Sequence, residues 1–280
     1  MKKIIFFTLV PNREDHLSRF LASIKTAPKG VLDSWEIICV TQGFKGDEFD
    51  RISNDPLYAQ NVDKTIVDSE ELCGAMHGVR TALKYCISAG ADVVMLMEED
   101  MQFTSYSNIA AEVELATDKT TGVVQYYSGR SSSALTNKII RKKNNGNLGE
   151  VVRGGQVGTS GGWLMGCHIL PILVHYITLA GSRNIEVGDL FMSACLHTEG
   201  FINYKSSKCW IVHNIGANRV RGRSPQKIYA ESNKVDMDSL GDLRSMLGIT
   251  YDTLSKLSSG LYKTNRGIRS TEGTVSRLWK

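Results

Sequence analysis

The sequence predicts an α/β protein built on a mostly parallel β-sheet with helices flanking the sheet. Short continuous apolar runs, with the length of fully buried strands, alternate with segments whose apolar residues recur at helical spacing. A further observation is an apolar run that leads directly into three consecutive acids, Glu98, Glu99 and Asp100. Because ligands of open α/β sheets bind beyond the carboxyl ends of the strands, we expect these acids to lie at a ligand site.

The first hundred residues supply most of the expected sheet. Apolar residues at positions 17, 20, 21 and 24 predict the first helix, whose first turn is acidic and whose last residue is Lys25. Residues 44–63 are polar and are expected to be irregular. The elements predicted here are strands at 3–10, 35–41, 64–67 and 93–97 and helices at 13–25 and 74–89.

The second half continues the pattern less regularly. A β-rich run at 122–127 predicts another strand, and the glycine-rich stretch 154–162 predicts a loop that allows close backbone approach to a ligand. Asp189 stands before an apolar helix that ends at Gly200, and capping of that helix would alone explain an aspartate there. A last strand, 209–212, ends at His213.

Composition excludes several classes of protein. The chain has 280 residues, 42% of them hydrophobic and 22% charged, which is typical of a soluble globular protein with a large core. The six cysteines are scattered without a CxxC pair, which favours free thiols in a reducing, cytoplasmic compartment. We expect no signal peptide and no membrane span. No GxGxxG or GxxxxGKS motif follows the first strand, which disfavours dinucleotide-binding and P-loop folds.

Charge is unevenly distributed along the chain. Residues 219–280 carry twelve Lys or Arg and six Asp or Glu, a net charge of +6, whereas residues 1–218 carry 21 basic and 23 acidic residues, a net of −2. We expect a main domain over residues 1–225 and a basic helical segment over residues 226–280. Residues 240–260 resemble a helix-turn-helix, so the segment is expected to contact a polyanion, unless it is only a solvated pair of surface helices.

The stretch TLVPNREDHLSRFLASI combines a strand, an Asn-Arg loop and a helix, and CGAMHGVRTALKYCISAGADVVMLMEEDMQF combines a glycine-initiated helix with a strand that ends in clustered acids. These two stretches resemble the nucleotide-sugar glycosyltransferases of the GT-A fold, especially family 2-like enzymes, in which the second stretch ends in a DxD motif. Glu98 stands where the first Asp of that motif is usual, and the loop after the second strand lacks an Asp often found there. The resemblance covers residues 3–215.

The resemblance implies a GT-A, Rossmann-like fold with a small helical C-terminal appendage, and a metal-dependent hexosyl- or pentosyltransferase. Mn²⁺ or Mg²⁺ would be held by Asp100 and His213, ligands that suit these ions together with diphosphate oxygens. Asp189 would be the general base, with Glu186 as a rival. Residues expected to bind the nucleotide-sugar donor are Thr8, Val10, Asn12, Arg13, Gly74, Glu98, Glu99, Gly161, Gly162 and Arg219.

The acceptor is open at this point. The basic C-terminal segment makes nucleic acid, such as hydroxymethylated viral DNA, one candidate, and a carbohydrate is the other. A GT-A-like nucleotidyltransferase is a further alternative, although it would usually have a glycine-rich loop after the first strand. A binding module that has lost metal binding would retain the same sheet without catalysis.

Overall fold

The computed structural model describes residues 1–103, 106, 109–126, 140–141, 150–151, 162–182, 192–193, 195–196, 199–206 and 211–213. The expected basic helical segment, residues 226–280, lies outside the described residues. Within the described part of the chain, no helix has both the length and the apolar composition needed to cross a membrane.

The described residues contain eleven strands and six helices with defined bounds, and residues 192–193 and 195–196 are also helical. The strands are β1 Lys3–Leu9, β2 Trp35–Gln42, β3 Lys64–Ser69, β4 Val93–Glu98, β5 Met101–Phe103, β6 Thr121–Gln125, β7 Ile140–Arg141, β8 Glu150–Val151, β9 Trp163–Gly166, β10 Ile202–Lys205 and β11 Ile211–His213. The helices are α1 Glu14–Lys25, α2 Asp50–Ser53, α3 Pro56–Asn61, α4 Ala75–Ser88, α5 Ile109–Thr117 and α6 Leu170–Ser182, the last preceded by a 3₁₀ turn at Cys167–Ile169.

Nine of these strands form one mixed sheet in the order β3-β2-β1-β4-β9-β6-β10-β8-β7. The first four strands are parallel to one another, and β6 is parallel to β10. Strand β9 is antiparallel to both β4 and β6, so β4 and β6 point the same way. The mostly parallel α/β architecture predicted from the sequence is therefore confirmed. Strands β3, β2, β1, β4, β6 and β10 all end at one side of the sheet, which we call the carboxyl edge.

Alternation of side chains along the strands divides the core into two layers. On one face, residues such as Phe6, Val40 and Leu96 pack with α4 and α6. On the other face, residues such as Phe7 and Met97 pack with α1 and α5. Burying each large apolar side chain contributes about 1.5–3 kcal/mol, so both layers stabilise the strands that end at the carboxyl edge.

A second, small sheet joins distant parts of the chain. Strand β5 follows β4 after a two-residue turn and pairs antiparallel with β11. The register sets His213 opposite Met101 and Ile211 opposite Phe103. Ile211 and Met101 are fully buried, so apolar packing stabilises this pairing.

Residues 44–63 were expected to be irregular, and this expectation is wrong. Short helices α2 and α3 occur there. Asp55 caps α3, because its Oδ1 accepts from the backbone N–H groups of Leu57 (2.8 Å) and Tyr58 (3.3 Å), and Pro56 begins the helix. Tyr58 is buried against Phe49 with ring centroids 5.6 Å apart. Tertiary packing and a local cap thus override a polar, weakly periodic sequence.

Candidate functional site

Three consecutive acids form a turn at the carboxyl edge. Glu98 is the last residue of β4, and Glu99 and Asp100 make the turn into β5. Glu98 is half-buried, whereas Glu99 and Asp100 are only 5% and 7% exposed. We call these three residues the acidic turn. Burying carboxylates is costly unless a cation or hydrogen-bond donors accompany them, so the turn requires compensation.

Arg13 supplies that compensation from the turn between β1 and α1. Its Nε lies 2.6 Å from Oε1 of Glu99, and its Nη2 lies 3.7 Å from Oδ2 of Asp100. The preceding residue, Asn12, has a left-handed backbone with φ of 67°, a conformation that asparagine tolerates better than most residues. The β1–α1 turn is therefore shaped to bring one guanidinium group against two carboxylates.

The ionisation of Glu99 reflects these opposing influences. Burial raises the pKa of Glu99, Arg13 lowers it, and the neighbouring Asp100 and Glu98 raise it further, to about 7. A carboxyl group crowded by two others is the environment in which added positive charge is most favourable. The Arg13 guanidinium, 2.6 Å from Glu99, supplies such a charge.

A row of polar side chains extends from the acidic turn along the carboxyl edge. Four polar side chains lie on the sheet face that packs against α4. They are Thr8 of β1, Gln42 of β2, Asp68 of β3 and Glu98 of β4. These four residues are the last or next-to-last residues of neighbouring strands, and we call them the polar row. Gly78 of α4 faces this row, because a Cβ at Gly78 would lie 2.9 Å from Cγ2 of Thr8 and 3.2 Å from Nε2 of Gln42.

The Asp68 carboxylate forms the centre of a network at the far end of the polar row. It accepts hydrogen bonds from Gln42 Nε2 (2.6 Å), Thr81 Oγ1 (2.6 Å) and the Nδ1 of His77 (2.7 Å). Burial raises the pKa of Asp68, but the hydrogen bonds from Thr81, His77 and Gln42 outweigh burial and hold the pKa below its usual range. This network was not predicted from the sequence. The available signals were an Asp near the end of a short strand and a His in the first turn of the next helix.

Two of the predicted glycines have positive φ at the carboxyl edge. Gly74, with φ of 99°, starts α4, and its carbonyl accepts from Nε2 of Gln42 at 3.3 Å. Gly162, with φ of 71°, donates its N–H to Leu96 O at 2.8 Å and accepts from the N–H of Tyr126 at 2.7 Å. Glycine suits both positions because it alone adopts positive φ without steric cost.

Most of the predicted donor-binding residues that the structure describes lie together at the carboxyl edge. Half-buried Val10 and exposed Asn12 follow β1 and precede Arg13. The same edge carries Thr8, Gly74, Glu98, Glu99 and Gly162. Gly161, Arg219 and both candidate bases, Asp189 and Glu186, lie outside the described residues. The roles of all these predicted site residues stay predictions.

Strand pairing brings the backbones of the two predicted metal ligands, Asp100 and His213, close together. Strand β11 places His213 opposite Met101, the residue after Asp100, although the two predicted ligands are 113 positions apart. The His213 side chain is outside the description. Among the described side chains, no group of three or more His, Cys, Asp or Glu is arranged to hold a metal. The carboxylates of the acidic turn are hard oxygen donors that fit Mg²⁺ or Mn²⁺, provided that a ligand completes the shell.

A second buried polar group lies at the carboxyl ends of β6 and β10. Glu112 of α5 is fully buried and accepts from the Ser206 hydroxyl at 2.6 Å. Burial, reinforced by Glu112, raises the pKa of Tyr126 well above its usual range. Neither α5 nor this group was predicted from the sequence.

Comparison with known proteins defines the fold. No protein-family model matches the chain, and no curated protein matches it. Among solved structures, the mannosyltransferase PcManGT from Pyrobaculum calidifontis, in complex with GDP-Man and Mn²⁺, is similar at 13% identity and a TM-score of 0.56, covering 99% of this chain and 84% of that one. S. aureus TarS 1-349 with UDP-GlcNAc matches at 11% identity and a TM-score of 0.48, covering 99% and 71%. The chain has the GT-A fold of nucleotide-sugar glycosyltransferases.

Proposed function

We propose that the chain is a metal-dependent glycosyltransferase that moves a sugar from a nucleotide-sugar donor to an acceptor hydroxyl. The observation that carries the proposal is the acidic turn, clamped by Arg13, at the carboxyl edge of a GT-A fold. Ligands of open α/β sheets bind at this edge. The PcManGT structure, which contains GDP-Man and Mn²⁺, supports the same class of donor and cofactor for this chain.

The donor would lie with its diphosphate at the acidic turn. Asp100 and His213 would hold Mn²⁺ or Mg²⁺, which, when bound, neutralises negative charge on the departing diphosphate. Glu98, half-buried at the end of β4, would contact ribose or sugar hydroxyls. Glu99 is occupied by Arg13 at 2.6 Å, so its contribution to donor binding would pass through the guanidinium group.

Transfer would proceed by displacement at the anomeric carbon. Asp189, with Glu186 as the rival, would accept the proton of the acceptor hydroxyl as that oxygen attacks. The bond from the anomeric carbon to the diphosphate oxygen breaks in the same step, and the nucleoside diphosphate leaves with the electron pair. The outcome would be inversion at that carbon.

Two alternatives make different predictions. A nucleotidyltransferase of this fold would usually carry a glycine-rich loop after β1, whereas here only Val10, Pro11, Asn12 and Arg13 separate β1 from α1. A metal-free binding module would bind a nucleotide-sugar without cleaving it. The acceptor would be hydroxymethylated DNA or a carbohydrate, and the charge of the C-terminal segment bears on that choice. The donor would carry a hexosyl or a pentosyl group, and a donor panel addresses that choice.

The test is release of nucleoside diphosphate from a panel of nucleotide-sugars, with and without Mn²⁺. Water can take the place of the acceptor hydroxyl, so we expect release that depends on Mn²⁺ and is lost in Asp100→Ala. The exposed Asp47→Ala serves as the matched control, because Asp47 lies in the loop after β2, away from the acidic turn in sequence. Release of pyrophosphate from nucleoside triphosphates would favour the nucleotidyltransferase, and binding without cleavage would favour the binding module.

A further inference from the structure

The His77 imidazole is held at Nδ1, and its side chain is partly exposed. Its Nδ1 lies 2.7 Å from Oδ2 of Asp68. The Asp68 side chain is 4% exposed and that of His77 is 35% exposed, so the carboxylate is inside and the ring reaches the surface. Because an ionised carboxylate only accepts hydrogen bonds, Nδ1 carries the proton, and in the neutral ring Nε2 is an acceptor.

The orientation of this ring is fixed from three elements. Gln42 at the end of β2 and Thr81 on α4 both donate to the Asp68 carboxylate at the end of β3. Gln42 uses its second amide hydrogen on the carbonyl of Gly74, where α4 begins. A side chain whose tautomer and direction are fixed in this way is suited to recognising a ligand by a single hydrogen bond.

The network stands at a defined distance from the acidic turn. Strands β4, β1, β2 and β3 are consecutive neighbours, and strands are spaced by about 4.8 Å, so the end of β3 is roughly 14 Å from the end of β4. This separation is comparable to the length of an extended nucleoside diphosphate. With its diphosphate at the acidic turn, a nucleotide lying across the carboxyl edge, beyond the ends of β1 and β2, would bring its base to the end of β3, beside His77.

An apolar surface borders the same place. A Cβ at Gly43, which follows Gln42, would lie 2.5 Å from Cδ2 of Leu72 and 3.4 Å from Cδ of Pro11. Leu72 and Pro11 therefore both lie beside Gly43 at the end of β2, and both are half-buried. A flat heterocycle packing on these side chains would present its polar edge to neighbouring groups such as His77.

We propose that Nε2 of His77, oriented by Asp68, accepts a hydrogen bond from the ring N–H of the donor's nucleobase. Uracil, thymine and guanine carry such an N–H on their base-pairing edge, whereas cytosine and adenine present a bare ring nitrogen there. The chain would thus select uridine, thymidine or guanosine diphosphate sugars against those of cytidine and adenosine. This inference rests on the proposed function, since it takes the diphosphate to lie at the acidic turn.

The experiment measures the affinity of the full-length chain for UDP, GDP, CDP and ADP by calorimetry, with Mn²⁺ present. We expect UDP and GDP to bind about tenfold more tightly than CDP and ADP, the effect of one partly exposed hydrogen bond to a matched partner. His77→Ala should abolish this preference while leaving the affinity for CDP nearly unchanged. The exposed Lys84→Ala, two turns further along α4, is the matched control.

Two further variants separate recognition from folding. His77→Gln retains an acceptor oxygen and should keep part of the preference, and Asp68→Asn should reduce it because the ring loses its fixed tautomer. An unchanged preference in His77→Ala and His77→Gln would overturn the inference while leaving the proposed function intact. Failure of the wild-type chain to bind any of the four nucleotides with Mn²⁺ would overturn both.

Discussion

Asp68 makes a local contribution to stability that depends on pH. Three side-chain donors stabilise its ionised form, and its pKa in the folded chain is therefore below the usual range. A depressed folded pKa stabilises the protein at pH values above the unfolded pKa, and this stabilisation is lost as the pH falls through the folded pKa. The network should thus matter at neutral pH and vanish in strong acid.

We expect Asp68→Asn to be less stable than wild type by about 2 kcal/mol at pH 7, the scale of hydrogen bonds to a charged group. The difference should shrink as the pH is lowered from about 4 towards 2. Thermal unfolding followed by circular dichroism over this range measures it. Asp33→Asn is the control: Asp33 also accepts a hydrogen bond, from the backbone N–H of Gly30, but it lies in an exposed turn. A stability difference between Asp68→Asn and wild type that stays constant with pH would contradict the role of Asp68 ionisation.

Asp189 carries the proposed proton transfer. Asp189→Asn preserves the shape of the side chain but removes its basicity, so donor binding should persist and transfer should fall by about 10²–10⁴-fold. Steady-state transfer and nucleotide binding, measured on the same preparations, separate the two effects. Glu114→Gln, at an exposed position on α5, controls for loss of an acid as such. Transfer at the wild-type rate would move the role to Glu186 or remove the general base from the mechanism.

At the scale of elements, the pairing of β5 with β11 matters most for the site. It connects the acidic turn to a strand more than a hundred residues later and sets His213 opposite Met101. If Asp100 and His213 share one cation, removing either ligand should weaken Mn²⁺ binding, and removing both should cost less than the sum of the single effects.

That expectation is testable by a double-mutant cycle. Mn²⁺ affinity in the presence of nucleoside diphosphate is measured by electron paramagnetic resonance for wild type, Asp100→Ala, His213→Ala and the double variant. Each single change should weaken binding by at least tenfold, and the coupling energy should be about 0.5–3 kcal/mol. Asp47→Ala is the control, because it removes a carboxylate that is distant in the sequence from both Asp100 and His213. Strictly additive effects would place the two side chains in separate environments.

The elements also show what sequence can and cannot establish. Strands β1, β2 and β4 and helices α1 and α4 were predicted, because long apolar runs and regular helical spacing are strong local signals. The antiparallel insertion of β9 between β4 and β6 was not predicted, since strand order depends on long-range packing. The acidic turn was predicted from its position after β4. The Asp68 network was not, because Gln42, Asp68 and His77 converge only when three separate elements pack together.

At the scale of the whole molecule, charge is concentrated at the C-terminal end. Residues 219–280 have a net charge of +6, against −2 for residues 1–218. If this segment presents DNA to the site, binding should weaken steeply with salt, with a slope of about 0.9 log units per log unit of salt for each contacted phosphate. A carbohydrate acceptor would show no such dependence.

We therefore expect full-length protein to bind duplex DNA at low salt and to lose affinity steeply as salt rises. Replacing Lys263, Arg266 and Arg269 by glutamine should lower the slope by up to about 2.7, since each lost phosphate contact contributes about 0.9. Truncation after Pro225 should weaken DNA binding further while leaving Mn²⁺-dependent donor hydrolysis unchanged. Fluorescence anisotropy of labelled DNA at two or more salt concentrations measures both effects, and substituting Lys2, Lys3 and Lys25 by glutamine provides a control with the same change in net charge. Equal binding by the truncated and full-length forms, or no binding by either, would exclude a DNA-presenting role for the segment and favour the carbohydrate acceptor.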